Sequence, residues 1–104
     1  MTDTVQLGGN IELTGFSELD GANIIVVKKI VGSYARKISD HRNDFSKLRL
    51  TLKEVHKQEH SEKYELHGQI LAGSESFNAE ITDRNLYVVI DTVMKKLCSE
   101  IGIK

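Results

Sequence analysis

Cysteine, proline and long apolar runs are scarce in this sequence. Cys98 is the single cysteine of 104 residues, which excludes an internal disulfide framework and a cysteine-rich zinc site. The longest nearly apolar run, residues 24–31, is interrupted by two lysines and is too short to cross a bilayer. Residues 1–10 have neither the basic start nor the apolar centre of a signal peptide. The sequence therefore predicts a cytoplasmic, soluble protein without a membrane partner.

Proline and linker-like segments are absent as well, which argues against several domains. The chain has no proline, no long Gly/Ser stretch and no internal repeat. Hydrophobic residues make up 39% and charged residues 28%, which is ordinary for a folded globular domain and too apolar for a disordered chain. The polar residues 1–10, with two adjacent glycines, predict a flexible N-terminal tail. Residues 11–104 are predicted to form a single α+β domain.

The net charge of −1 hides an uneven distribution of charge along the chain. Residues 1–27 carry four acids and no base, whereas residues 28–57 carry nine bases and three acids. Residues 58–83 carry one base and six acids, and residues 84–104 carry four bases and two acids. The near-zero net charge is therefore a cancellation between segments, and it does not describe any one surface.

Alternating apolar and polar residues predict four strands. The clearest is 47–53, where three leucines alternate with polar side chains, and the others are 11–14, 64–72 and 76–81. The connection between the second and third predicted strands is the polar segment 57–62. The last three strands are expected to form an antiparallel meander with one buried face.

Apolar residues at spacings of three and four predict two helices. The first is expected to start at Ser17 and to stop near Asp40, and the second to be capped by Asp83 and terminated at Gly102. The predicted fold is thus a β-α-β-β-β-α two-layer sandwich of the α+β class. Its four-stranded sheet carries both helices on one face, and its first two strands are parallel because a helix connects them.

Motifs of catalytic and metal sites are missing. The chain has no GxGxxG, Walker, GxSxG or HExxH motif, and His56 and His60 flank a predicted strand connection rather than a helix face. His41 is placed in a loop, and His67 points outward from a strand as a partner for a neighbouring acid. Cys98 is expected to lie beside the apolar stripe of the last helix as a partly buried packing cysteine, with its pKa raised by nearby Glu100. The sequence predicts no enzyme, no metal and no cofactor.

Basic side chains on the two predicted helices are the remaining candidates for a site. If the helices pack side by side, their outer surfaces merge into one positive patch that could neutralise RNA phosphates. The alternative is that these charges only keep the helix surfaces soluble. The candidate RNA-binding residues are Lys28, Lys29, Arg36, Lys37, Arg84, Lys95 and Lys96.

Three further basic residues lie on the strand predicted at 47–53. Lys47, Arg49 and Lys53 share its outward face. They are expected to oppose Glu65 on one neighbouring strand or Glu12 on the other, as ordinary cross-strand pairs.

The last predicted helix also carries a family resemblance. Its Leu-Tyr-Val-Val-Ile-Asp at 86–91, followed by Lys-Leu at 96–97, resembles the last-helix signature of the ribosome hibernation-promoting factors. These are also called ribosome-associated inhibitors or sigma-54 modulation proteins, and they have the same order of elements. Residues 11–15 look like the first strand of that family, and residues 48–53 look like its second. The resemblance is specific in the last helix and topological elsewhere.

The resemblance implies a function in translation. Members of the family bind the small ribosomal subunit, near the decoding region, where they block the path of tRNA and mRNA and silence idle ribosomes. The motif assigns Tyr87 and Asp91 to positioning of the helix and Lys96 to a phosphate contact, with simple packing as the alternative for Tyr87. Residues 98–100 stand where family members carry further basic residues.

Two function hypotheses follow from the sequence. The first is a non-enzymatic, ribosome-associated RNA-binding domain that binds the rRNA of the small subunit and down-regulates translation, as in a stress response. The second is a structural or assembly module of the same fold, without RNA binding, that forms a homodimer. It is suggested by the open sheet face, where Leu71 is exposed by alternation, and by the unpaired edge strands.

Overall fold

The computed structural model describes residues 4–7, 10–17, 19–56 and 62–103. Its helices and strands follow one another as β1 (Thr4–Leu7), β2 (Ile11–Thr14), α1 (Gly21–His41), β3 (Phe45–His56), β4 (Glu62–Ala72), β5 (Glu75–Asp83) and α2 (Leu86–Glu100). From β2 onward this is the predicted β-α-β-β-β-α order, so the α+β class is confirmed. The predicted connection at 57–62 falls largely outside the described residues, and Glu62 already belongs to β4.

The sheet is mixed and has the strand order β1-β2-β3-β4-β5. β2 pairs with β3 in parallel, Leu13 opposite Leu50, while β3–β4 and β4–β5 are antiparallel. The parallel pair is the one that α1 connects, as expected for a strand–helix–strand crossover. The four predicted strands are therefore all present with the predicted neighbours.

A fifth strand corrects the prediction for the first ten residues. Residues 4–7 were expected to belong to a flexible tail, but they form β1 and pair antiparallel with β2, Val5 opposite Leu13. Its residues Thr-Val-Gln-Leu alternate polar and apolar, which suits a strand, and the outer edge of β2 offers unpaired backbone groups. The polar character of residues 1–10 and their two adjacent glycines favoured a tail and concealed this short alternation.

Alternation along the strands separates a buried face of the sheet from an open one. Leu48, Leu50 and Leu52 are buried beneath the helices, as are Leu66 and Ile70 of β4. The intervening side chains of these strands lie on the open face, where they are exposed or half-buried. Both helices cover the same face, because an alternating strand can bury only one of its two sides.

The start of α1 lies four residues beyond the predicted one. Asp20, not Ser17, is the N-cap, and its carboxylate accepts a hydrogen bond of 2.8 Å from the backbone of Asn23. The preceding residues form a turn instead, in which Leu19 donates to the carbonyl of Phe16, and this turn buries the Phe16 ring in the core. Burying that ring lowers the free energy of the fold by more than an earlier start of the helix would.

The start of α2 shifts for a related reason. Asn85 is its N-cap and accepts hydrogen bonds from the backbones of Tyr87 (2.9 Å) and Val88 (3.2 Å). Asp83, the predicted cap, ends β5 and accepts a hydrogen bond from the backbone of Asn85. At the other end, Gly102 has φ +96° just after the helix, which is the conformation that favours glycine at this position.

The two helices run in the same direction, side by side. Tyr87 near the start of α2 contacts Asn23 near the start of α1, and His41 at the end of α1 contacts the Ile101 carbonyl after α2. Within the described ranges, no helix is long and apolar enough to cross a membrane.

Candidate nucleic-acid interface

Helix α1 carries most of the positive charge of the helical layer. Lys28, Lys29, Arg36 and Lys37 are all exposed on it, against a single acid, Asp40. Val27, Val31 and Ile38 fix the orientation of the helix by burying its opposite side. Among the described residues, none of these four bases is in an ion pair.

These four bases point to different sides of α1. Lys28 and Arg36 border a shallow groove of about 460 Å³ beside β2, together with Asn10, Gly32 and Ser39. Lys37 lies on the other side, towards α2, with its ammonium 5.4 Å from the centre of the Tyr34 ring. The basic surface thus wraps around the outward side of α1.

The groove between the helices holds two of the predicted bases. Lys37 and Lys95 line a cavity of about 360 Å³ between α1 and α2, with Tyr34 and Cys98 in its wall. Here the structure brings basic residues of the two helices together around a common cavity.

Asp91 interrupts the positive charge at this groove. Its carboxylate accepts a hydrogen bond of 2.5 Å from the Tyr34 hydroxyl and forms an ion pair of 3.0 Å with Lys95. These two contacts hold the pKa of Asp91 below its usual range, and the hydrogen bond from Tyr34 has the larger effect. Burial, and then the bond to Asp91, raise the pKa of the Tyr34 hydroxyl. Lys95 is therefore already paired with a carboxylate of its own helix, Asp91.

The remaining bases of the last segment are separated from this groove. Lys96 is five residues beyond Asp91, and at about 100° per residue it lies roughly 140° further around the helix. It therefore faces away from α1. Arg84 is exposed and lies just before the start of α2, at the other end of the helix from Lys95 and Lys96. With Asp91 and Glu100 on the same helix, α2 has no excess of bases. The predicted single patch over both helices is thus interrupted, and the larger excess of positive charge lies on α1.

Two of the three bases on the open face of β3 are paired with an acid, as predicted. Lys47 and Arg49 bind the two carboxylate oxygens of Glu12, at 2.8 and 3.2 Å. The hydrogen bond from Lys47 is the main reason why the pKa of Glu12 is lowered. Lys53 lies opposite Glu65 in the register of β3 and β4. The ion pairs engage Lys47 and Arg49, whereas Lys53 is exposed and has no ion pair among the described residues.

His67 lies between two carboxylates on the open face, which confirms its predicted role as a partner of acids. Its Nε2 is 2.5 Å from Glu65 and its Nδ1 is 3.1 Å from Glu80. The hydrogen bond from His67 is the main cause that lowers the pKa of Glu65. Among the described residues, the cluster consists of one histidine and two carboxylates, which is an ordinary polar contact on a protein surface.

The other histidines correct one prediction. His41, expected in a loop, is the last residue of α1, and its Nε2 lies 3.1 Å from the Ile101 carbonyl. His56 ends β3, whereas His60 lies outside the described residues. In the part of the chain that the structure describes, no three His, Cys, Asp or Glu side chains are grouped to hold a metal ion.

Cys98 is buried in the wall of the groove between the helices, as expected for a packing cysteine. Its pKa is raised, as predicted, but the cause is burial rather than Glu100, and the charge of nearby Lys37 acts in the opposite direction.

Sequence reasoning missed the contacts that join the two helices. Asp91 bonds to Tyr34, 57 residues earlier, and Tyr87 donates a hydrogen bond of 2.5 Å to Asn23, 64 residues earlier. Only the family resemblance pointed to Tyr87 and Asp91 as residues that position the helix. Nothing in the spacing of Tyr34 or Asn23 identified them as the partners.

No protein-family model matches this chain, and no curated protein matches it.

Proposed function

We propose that this protein is a non-enzymatic RNA-binding domain that holds RNA phosphates on the outer face of α1. Its target is the rRNA of the small ribosomal subunit, and its binding there lowers translation. The observation that carries the proposal is the difference between its basic groups. Lys28, Lys29 and Arg36 are exposed, with no ion pair among the described residues. Lys47 and Arg49 of β3 and Lys95 of α2 are instead paired with carboxylates.

Free bases are the groups that bind phosphate most favourably. A lysine already paired with a carboxylate must lose that partner before it gains a phosphate, so its net contribution is small. Lys28 and Arg36 are eight residues apart on one side of α1, which places them about 12 Å apart along the helix axis. That spacing allows them to contact separate phosphates of one RNA segment. The choice of the ribosome as target rests on the resemblance of residues 86–97 alone.

The proposal is tested by co-sedimentation with purified small ribosomal subunits over a range of salt concentrations. Lys28→Gln/Lys29→Gln removes two free charges from α1. Lys53→Gln/Lys63→Gln removes the same two charges from the open sheet face and serves as the matched control. The wild type should bind at low salt, with an affinity that falls steeply as salt rises. The α1 variant should bind more weakly, with a salt slope lower by about two, and the control should match the wild type.

A second readout addresses translation. Added to a cell-free translation reaction, the wild type should reduce the yield of product, and the Lys28→Gln/Lys29→Gln variant should reduce it less. Failure of the wild type to sediment with the subunits at low salt contradicts the proposal. Equal losses for the α1 variant and the control mean that net charge, not the α1 surface, governs the interaction, and this contradicts the proposed site.

The homodimeric assembly module has less support. Leu71, its motivating residue, is half-buried and lies opposite Ser76 on a polar sheet face. Self-pairing of the β5 edge, centred on Ala79, would place Glu75 opposite Asp83 of the second copy, and like charges directly opposite are unfavourable. A native mass measurement that finds a stable dimer would favour this alternative.

A further inference from the structure

One turn of α1, residues 24–27, is apolar on every side. Residues 24–27 are Ile, Ile, Val and Val. Val27 is buried and Ile24 is half-buried, as expected for residues that face the sheet, but Ile25 is 57% exposed and Val26 is 41% exposed. A helix that is hydrophobic all round is normally covered on all sides. The outward side of this one is not covered by the domain itself.

A third exposed aliphatic side chain lies at the same end of the helical layer. Val88 is 43% exposed in the first turn of α2. The bond from Tyr87 to Asn23 places this turn beside the start of α1, and Val26 lies three residues after Asn23 on the same side of α1. Ile25, Val26 and Val88 are the exposed large hydrophobic side chains among the described residues. We call these three residues the helix-end patch.

The fold of the isolated domain gains little from this patch. None of its three residues belongs to the buried core or packs against it. β-branched residues are also weaker helix formers than Gln, Lys or Glu at exposed positions, because their side chains lose rotamer freedom. Single exposed aliphatic residues are common on protein surfaces, but a local concentration of them marks an interaction site.

The charges around the patch restrict its partner. Lys28 and Lys29 follow it in α1 and Arg84 lies just before α2, all of them exposed. Two acids lie at the same end, Asp20 and Asp83, and each accepts a backbone hydrogen bond at the start of a helix. The nearest acid of α2, Asp91, is occupied by Tyr34 and Lys95. A second copy of the chain would bring these basic rims together, which is unfavourable. RNA fits the patch poorly, since aliphatic side chains offer no ring on which bases could stack. The surface is complementary to a protein with an aliphatic centre and an acidic rim.

We infer that the helix-end patch docks against a protein component of the same particle whose RNA is held by the bases of α1. This inference rests on the proposed function and extends it. The domain recognises a ribonucleoprotein surface, on which Lys28, Lys29 and Arg36 contact RNA and Ile25, Val26 and Val88 contact protein. The partner surface carries apolar side chains, flanked by the RNA phosphates that Lys28 and Lys29 contact and by an Asp or Glu that faces Arg84.

Photo-crosslinking on small ribosomal subunits distinguishes the occupants of the patch. A benzophenone side chain is introduced in place of Val88, and in a second variant in place of Arg36 as the reference position. From position 88 the crosslink should form to a ribosomal protein, and from position 36 to rRNA. A crosslink from position 88 only to rRNA or to a second copy of the chain, or none at all, overturns the inference.

Binding measurements give an independent test with two probes, intact small subunits and their protein-free rRNA. The variant Ile25→Gln/Val26→Gln/Val88→Gln removes the patch and introduces better helix formers, so its melting temperature should not fall. Its affinity should fall at least about tenfold for intact subunits and stay unchanged for protein-free rRNA. Ser74→Gln/Thr82→Gln, at exposed positions in β5 and the turn before it, is the control and should bind both probes like the wild type.

The outcomes separate the two proposals. Wild type that binds neither probe contradicts the proposed function, and the inference falls with it. Wild type that binds both probes, with a patch variant that loses nothing on intact subunits, overturns the inference and leaves RNA binding by α1 in place. Equal losses on both probes also overturn it, because the patch would then contact RNA.

Discussion

Gly68 shows at the scale of one residue how closely the two layers of this protein approach each other. It lies on the buried face of β4, beneath α2. A Cβ added there would lie 2.6 Å from Val93 Cγ1, 2.9 Å from Leu97 Cδ1 and 3.1 Å from Leu50 Cδ2. The alternation of β4 predicted that residue 68 faces the core, but not that a side chain would be excluded.

This close approach gives a prediction with a matched control. Gly68→Ala should lower the free energy of unfolding by about 1–3 kcal/mol, because side chains of α2 and β3 must move to make room. Gly32→Ala, inside α1, meets nothing within 4 Å and should raise the free energy of unfolding by about 0.5–1 kcal/mol. Urea unfolding of the two variants measures both changes. A Gly68→Ala protein as stable as the wild type would mean that α2 does not pack this closely on β4.

At the scale of the element, the two helices resemble each other in packing and differ in charge. Each buries one apolar side against the sheet, and each begins at a polar cap, Asp20 or Asn85. The sequence predicted that both helices exist and which sides they bury. It did not predict the caps, because the residues between a strand and a helix also have to bury Phe16 or complete β5.

The charge difference between the helices predicts unequal effects on RNA binding. Lys95→Gln/Lys96→Gln should weaken binding to small subunits less than Lys28→Gln/Lys29→Gln does, because Lys95 is paired with Asp91 and Lys96 faces away from α1. The salt slope should fall by about two for the α1 pair and by less than one for the α2 pair. Sedimentation at several salt concentrations measures this. Equal slopes would indicate that both helices form one patch, as the sequence alone suggested.

At the scale of the whole molecule, ionisable groups set limits to stability at both ends of the pH range. The pKa values of Glu12, Asp44, Glu65 and Asp91 are lowered in the folded state, in each case first by a hydrogen bond from a neighbouring side chain. Their contribution is present above the ordinary carboxyl pKa values and is lost as the pH falls through the lowered ones. The pKa of Tyr34 is raised from 10.0, so its contribution is present below pH 10.0 and is lost as the pH rises above it.

The melting temperature should therefore be nearly constant between about pH 5 and pH 9 and should fall on either side. Asp91→Asn should melt at a lower temperature than the wild type at neutral pH, with a difference that shrinks in acid. Tyr34→Phe should reduce the alkaline fall, leaving the part that is due to Cys98, whose pKa is also raised. Thermal unfolding followed by circular dichroism checks these curves. An alkaline fall that is the same in Tyr34→Phe would show that the hydroxyl does not contribute.

The sequence by itself determined the order of the elements from β2 onward, the four predicted strands, the buried side of each helix and the position of the β3 bases opposite acids. These features depend on periodicities of two and 3.6 residues, which are local and visible in the chain. The tertiary structure alone decided that residues 4–7 join the sheet, that Asp91 binds Tyr34 and Lys95, and that Lys28, Lys29 and Arg36 have no ion pair among the described residues. Each of these depends on how separate elements are placed beside one another. Whether a charged side chain is free or paired is a property of its neighbours in space, and the near-zero net charge of the whole chain does not reveal it.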